Sequence, residues 1–244
     1  MIRAFYDGEL EIGKCCQLER NEAHHVFRVL RAQPSETIQL LDGHGTVATG
    51  LVEQDQTVYI QQIQLATASR INFYPALLKS KAMDFLIREA TAIGVRKISP
   101  LISDHSEAKI HDLENKLRHW NDIAREACKQ SGNVFLPAIE PPQKLSKIIF
   151  PQLTFVAALH PPARPVLDYY QELRQFPAGT EIGVVIGPEG DFSEREYKDF
   201  EAQKLRFVTL SRQHILRSET AALYLLSLVD QLQMLPSSRY EACR

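Results

Sequence analysis

The rhythm of apolar and polar positions along this chain changes near residue 70. Before it, short alternating or β-branched runs (Thr37 to Leu41, Thr46 to Val52, Thr57 to Leu65) are separated by turn residues, the pattern of strands with one covered face. Asp42-Gly43-His44-Gly45, between the first two runs, is a hairpin signal. One helix-like piece interrupts them, Asn21 to Val29, with Asn21 as its cap and Ala23, Val26, Phe27 and Leu30 on one face. These residues predict a small, mostly β domain over residues 1–70.

Beyond residue 70 the period becomes helical and alternates with continuous apolar runs. Met83, Leu86, Ile87, Ala90 and Ile93 form one stripe of a helix that Gly94 ends, and Val95 to Leu101 reads as the next strand. A second helix, Asp112 to Gln130, sets Leu113, Leu117, Trp120, Ile123, Ala124 and Ala127 on one side and stops at Gly132. Leu153 to Leu159 and Glu181 to Ile186 are continuously apolar, as in strands covered on both faces. Tyr169 to Arg174 reads as helical, and Ser193 to Glu196 has capping-box spacing, which starts a helix at Glu194. Phe207 to Leu210 is a further strand, and Ser218 to Leu235 is an apolar helix stopped by Pro236. Strands alternating with helices predict a parallel α/β sheet over residues 71–244, with ligands at the carboxyl ends of its strands.

Composition narrows the chemistry by exclusion. With 244 residues, 44% of them hydrophobic, the chain can bury a full core. Its net charge of −2 exerts no global pull on nucleic acid, so an RNA site has to be a local patch. Cys15, Cys16, Cys128 and Cys243 form neither a metal-ligand spacing nor a disulfide framework. The first residues carry no long apolar core of a signal peptide, and no run is long enough to span a bilayer. A cytoplasmic, metal-free protein is expected.

Three strand ends gather the unusual residues: Leu159-His160-Pro161-Pro162, Gly187-Pro188-Glu189-Gly190, and Leu210 to Thr220. Each has a plain reading, a proline-opened or glycine turn, beside a functional one, a loop that lets a ligand approach the backbone. Neither the dinucleotide fingerprint nor a phosphate loop is present, so the ligand suggested is held by backbone in a narrow cleft. Arg217 and Glu219 flank Ser218 at the start of the last helix. They are either a surface pair or a cleft donor and its orienter. The histidines of His24-His25-Val26-Phe27-Arg28-Val29-Leu30-Arg31 either pack within the small domain or, with its arginines, present His25, Arg28 and Arg31 to nucleic acid.

Taken together, several of these motifs resemble one family closely. Arg3 and Phe5, the His24 to Arg31 stretch, Asp42-Gly43, Gly94-Val95, Gln130-Ser131-Gly132, Ile186 to Gly190 and Ile215 to Ala221 are similar to the bacterial 16S ribosomal RNA uridine-N3 methyltransferases of the SPOUT superfamily. The paired IGPEG and LRxETA motifs are the most specific part of the match. The resemblance implies an N-terminal PUA-like β-barrel for RNA and a C-terminal α/β domain closed by a trefoil knot. It also implies a homodimer, and transfer of a methyl group from S-adenosylmethionine to N3 of uridine 1498 in 16S rRNA. The implied cofactor site comprises Leu159, His160, Gly187, Pro188, Glu189, Gly190, Leu210, Ile215, Leu216 and Arg217. Arg217 would be the donor facing the uracil oxygens and Glu219 its orienter, while Glu189 would fix its loop through backbone hydrogen bonds. The chain departs from the family pattern at Ala92, His105, Asn133, Asp191 and Ser211 or Arg212. Ribose 2′-O methyltransferases of the same superfamily carry Leu-Asn-Val-Ser where this chain has Leu216-Arg217-Ser218-Glu219, which counts against that alternative. A catalytically silent RNA-binding member of the fold is the other.

Overall fold

The computed structural model describes residues 1–106, 112–159, 162–211 and 214–234, and its chain divides into two compact units. Unit one comprises Met1–Ala68 and Asp122–Leu136, and unit two comprises Ser69–Asn121 and Pro137–Arg244. A single cut at residue 70 does not foresee the return of residues 122–136 to the first unit. The apolar stripe of the second helix gives its period but not its partner.

In unit one, β1 (Ile2–Phe5), β2 (Cys15–Cys16), β3 (Thr37–Leu41), β4 (Thr46–Val52) and β5 (Val58–Leu65) form a sheet in the order β1-β3-β4-β5-β2. Only the β1–β3 pair is parallel. The Asp42 turn forms as the sequence predicts. Its carboxylate accepts the amides of His44 at 2.7 Å and Thr46 at 2.9 Å, while Gly43 and Gly45 take positive φ. Ala4, Ile38, Leu40, Ala48, Val58 and Ile60 pack with Val26 into its core.

The predicted Asn21–Val29 helix is different in kind. A single α turn, α1 (Arg20–Ala23), starts with Glu19 at the cap position and no side-chain cap, and the chain then widens into a π-helical turn, His24–Val29. Asn21 lies inside the first turn, so it cannot cap it. The Leu30 amide donates to the His25 carbonyl at 2.9 Å, five residues back. That wider winding breaks the predicted stripe. Val26 is buried, but Val29 and Leu30 are 57% and 44% exposed.

Unit two is built on a seven-stranded, wholly parallel sheet. Its strands are β6 (Ile71–Pro75), β7 (Lys97–Ile98), β9 (Ala138–Ile139), β11 (Leu153–Ala157), β12 (Arg164–Pro165), β13 (Ile182–Ile186) and β14 (Arg206–Thr209), in the order β12-β14-β11-β13-β6-β7-β9. Two short strands, β8 (Leu101–Ile102) and β10 (Gln143–Lys144), pair beside it. The expected Val95–Leu101 strand is split into β7 and β8 because Pro100, between them, has no amide for the ladder. The continuous apolar runs are the central strands: every residue of β13 and the first four of β11 are buried.

The helices are α2 (Ser80–Ile93), α3 (Leu113–Ser131), the short α4 (Tyr170–Leu173), α5 (Glu194–Ala202) and α6 (Ser218–Met234). Gly94 caps α2 at φ 98°. Ser193 and Glu196 close the predicted capping box, with the Ser193 amide donating to the Glu196 carboxylate at 2.9 Å. Among the described residues, no helix is long and apolar enough to cross a membrane.

Candidate active-site cleft

Because β11, β13 and β14 are adjacent and parallel, the loops after them leave the sheet at the same edge. They enclose a cleft of about 390 Å³ lined by Ala157–Leu159, Ile186–Glu189 with Asp191, and Thr209–Ser211 with His214–Ser218 and Ala221. A parallel α/β sheet is expected to bind its ligands at this edge, and the volume suits a small organic molecule.

Most of the predicted cofactor residues meet here. Leu159, Gly187, Pro188, Glu189, Leu210, Ile215, Leu216 and Arg217 all line the cleft. Gly190 does not, and His160 lies outside the described residues. The lining is apolar after β11 (Ala157, Ala158, Leu159) and mixed along the last loop, where Leu210, Ile215 and Leu216 stand beside Ser211, His214 and Arg217. That composition fits a nucleoside ligand with no phosphate to bind.

The glycines of the GPEG loop do not work through positive φ. Neither Gly187 nor Gly190 has it; Asp191 does, at 59°. The Asp191 amide donates to the Pro188 carbonyl at 3.0 Å, closing a tight turn. Gly187 is small for a steric reason, since a Cβ there would stand 3.1 Å from the Phe192 ring.

Nor does Glu189 brace the loop. It is exposed and makes no hydrogen bond among the described residues. Bracing comes instead from Tyr197 and from His105 and Asp191, two of the positions that depart from the family pattern. The Tyr197 hydroxyl donates to the Asp191 carboxylate, with both oxygens at 2.9 Å. Burial and the Asp191 charge push the Tyr197 hydroxyl above its ordinary pKa, and the Leu159 backbone amide also reaches it. From the far side, His105 Nδ1 lies 2.8 Å from the Asp191 carbonyl and 3.2 Å from that of Gly190. The Asp191 carbonyl holds this imidazole above its usual pKa. Two departures from the family pattern, at 105 and 191, thus meet across the chain.

Arg217 and Glu219 are not joined by a hydrogen bond or ion pair among the described residues. Arg217 lines the cleft, while Glu219 sits half-buried in the first turn of α6, off its wall. A carboxylate in a first helical turn is stabilised by the amide dipoles there, which accounts for Glu219 without a role as orienter. The remaining predicted site residues lie in unit one. His25 is half-buried in the π-helical turn and Arg28 exposed beside it. Arg31 is exposed at φ 57°.

A family model described as an RNA methyltransferase domain matches residues 66–230, and one described as an RNA methyltransferase PUA domain matches residues 18–62. The chain belongs to the RNA methyltransferase family. Within it, the chain is 34% identical over 153 residues to ribosomal RNA small subunit methyltransferase E of Mesomycoplasma hyopneumoniae, a match covering 62% of this chain and 65% of that relative. The chain thus aligns with just under two thirds of that relative's length. The protein of the same name from Aquifex aeolicus is 27% identical over 93% of this chain and 99% of its own. Among solved structures, ribosomal RNA small subunit methyltransferase E from Neisseria gonorrhoeae bound to S-adenosyl methionine superposes with a TM-score of 0.81 at 27% identity. That match covers 95% of this chain and 98% of the other.

Proposed function

We propose that this protein methylates N3 of uridine 1498 in 16S rRNA, with S-adenosylmethionine as the donor. The observation that carries the reading is the cleft itself: three loops converging at one edge of a parallel sheet, without the glycine spacing of a phosphate loop. When bound, S-adenosylmethionine supplies a methyl group on a sulfonium centre, and the remainder leaves as a neutral thioether. The residues of the chain hold and orient. The backbone of Leu210, Ile215 and Leu216 offers amides and carbonyls to the adenine edge. Arg217, on the wall, donates to the uracil oxygens as N3 gives its proton to water and charge spreads onto them.

Unit one presents the RNA. Arg28 and Arg31, exposed beside the outward-facing Val29 and Leu30, form a local positive patch of the kind that meets RNA phosphates. Leu159 and Ile215, 53% and 80% exposed at the cleft, are apolar surface that a second copy covers in a homodimer. The trefoil knot belongs to the same reading, supported by β14 lying beside β11 with α6 returning onto α2 and β13. The enzyme acts in the cytoplasm, where its substrate is made. Mapping methylated uridines in 16S rRNA from cells lacking the gene tests the reading. An unmodified uridine 1498, restored by the gene, is expected; an unchanged methylation pattern overturns it.

A further inference from the structure

Asp191 stands apart from the rest of the cleft wall. At φ 59° it occupies backbone space that glycine fills without strain, and aspartate is one of the few other residues to enter it. Its side chain does not turn away to solvent. The carboxylate lies against Gly187, with Oδ1 3.5 Å from where a Cβ on that glycine would stand, and both oxygens are held by the Tyr197 hydroxyl at 2.9 Å. The same hydroxyl reaches the Leu159 amide, so one side chain ties the loop after β11 to the loop after β13. Its main chain is held as well, by His105 on the Asp191 and Gly190 carbonyls. The result is a fixed negative charge on the wall of a half-enclosed cleft, locked from two sides. Of the other ionisable groups on that wall, Glu189, His214 and Arg217 are all exposed, where water screens them more than it screens a half-buried, anchored carboxylate.

We propose that Asp191, positioned by Tyr197, is the residue by which the cleft distinguishes a cationic sulfonium ligand from its neutral thioether product. The inference rests on the S-adenosylmethionine reading above. S-adenosylmethionine and S-adenosylhomocysteine share their adenosine and amino-acid ends, and differ in one methyl group and one positive charge at sulfur. Backbone contacts to adenine and ribose read both molecules alike. A fixed carboxylate on the cleft wall would favour only the charged one, by roughly three- to tenfold in affinity at an intermediate effective dielectric. Product then leaves more readily than substrate, which keeps the cleft from filling with its own by-product.

Calorimetric titration of the full chain with each ligand separately tests this. The variants are Asp191→Asn, Asp191→Gly, Tyr197→Phe and, as a charge control on the exposed face of α5, Glu201→Gln. The wild type is expected to bind both ligands and to prefer S-adenosylmethionine. Asp191→Asn and Asp191→Gly should both cut that preference roughly three- to tenfold, with S-adenosylhomocysteine affinity held within about twofold. Tyr197→Phe should shift the ratio the same way by less, and Glu201→Gln should leave it alone. Asp191→Gly relieves the backbone strain, so it guards against a folding defect in the other variant. An unchanged ratio in both Asp191 variants overturns the proposal. So does an equal loss for both ligands, which would make Asp191 a reader of the shared amino-acid end. A wild type that binds neither ligand would instead remove the cofactor reading, and this inference with it.

Discussion

Gly183, in the middle of β13, is a sharp test of how the cleft's platform is packed. It pairs with Thr154 of β11 on one side and Asn72 of β6 on the other. A methyl group placed on it would press into the Thr154 hydroxyl and come within 2.8 Å of Thr154 Cγ2 and 2.9 Å of its Cβ. Thr154 is wholly buried and donates its hydroxyl to the Pro151 carbonyl at 2.7 Å. Rotating its side chain cannot relieve contacts that include Cβ, and rotation breaks that bond. Gly183→Ala therefore combines overpacking, about 1–3 kcal/mol, with a stranded buried hydroxyl, about 1–3 kcal/mol. A loss of roughly 2–6 kcal/mol lowers the melting temperature of a domain this size by roughly 5–20 °C. The protein's one tryptophan, Trp120, is buried in unit two, so its fluorescence follows that unit on heating or in urea. Thr154→Ala should cost about 1 kcal/mol alone and recover part of the Gly183→Ala loss when the two are combined, a coupling of about 1 kcal/mol or more. Additive losses, or a Gly183→Ala protein as stable as the wild type, would refute the steric argument.

Further predictions follow from single groups. Arg217→Ala should lower the rate of methyl transfer by about a hundredfold or more while S-adenosylmethionine affinity changes little; equal losses in both would remove Arg217 from the chemistry. Burial pushes the Cys128 thiol up to about 12 against a smaller opposing pull from Arg125. At pH 8 iodoacetamide should therefore alkylate exposed Cys15 in the native protein and Cys128 about a thousandfold more slowly, a contrast read by peptide mass spectrometry and contradicted by equal labelling. At Asp42, burial raises the carboxyl pKa, but hydrogen bonds from Thr46 and His44 outweigh it and leave a net depression. Its contribution is therefore complete above the ordinary value of about 3.9 and lost as pH falls through the lower folded-state value. Asp42→Ala should speed hydrogen exchange at the His44 and Thr46 amides and spare β13; undiminished protection at the turn would argue against that role.

What the sequence made legible was local and periodic. The Asp42 turn, the Gly94 cap, the Ser193 capping box and the apolar β11 and β13 each follow from a few adjacent residues, and each stands where the pattern put it. The misses needed partners far along the chain. Nothing between Asn21 and Val29 signals a π-helical turn, and Val26, the residue it buries, packs with core residues from distant strands. Residues 122–136 join unit one through contacts such as Arg3 with the Lys129 and Gln130 carbonyls, more than 120 positions apart. The cleft loops were legible as three strand ends, and their convergence follows from parallel topology. Which side chain braces them was not. Glu189 sits in the motif and makes no hydrogen bond among the described residues, while Asp191, Tyr197 and His105 hold the loop from positions that only the fold brings together.

The most direct test of the central claim is methyl transfer in vitro. The purified protein, S-adenosylmethionine labelled in its methyl group and small ribosomal subunits or 16S rRNA from cells lacking the gene are incubated, and the RNA is digested to nucleosides. Label in 3-methyluridine, absent when the uridine at 1498 is replaced, is the predicted result. Label in a ribose-methylated nucleoside, or none transferred to either substrate, would contradict it.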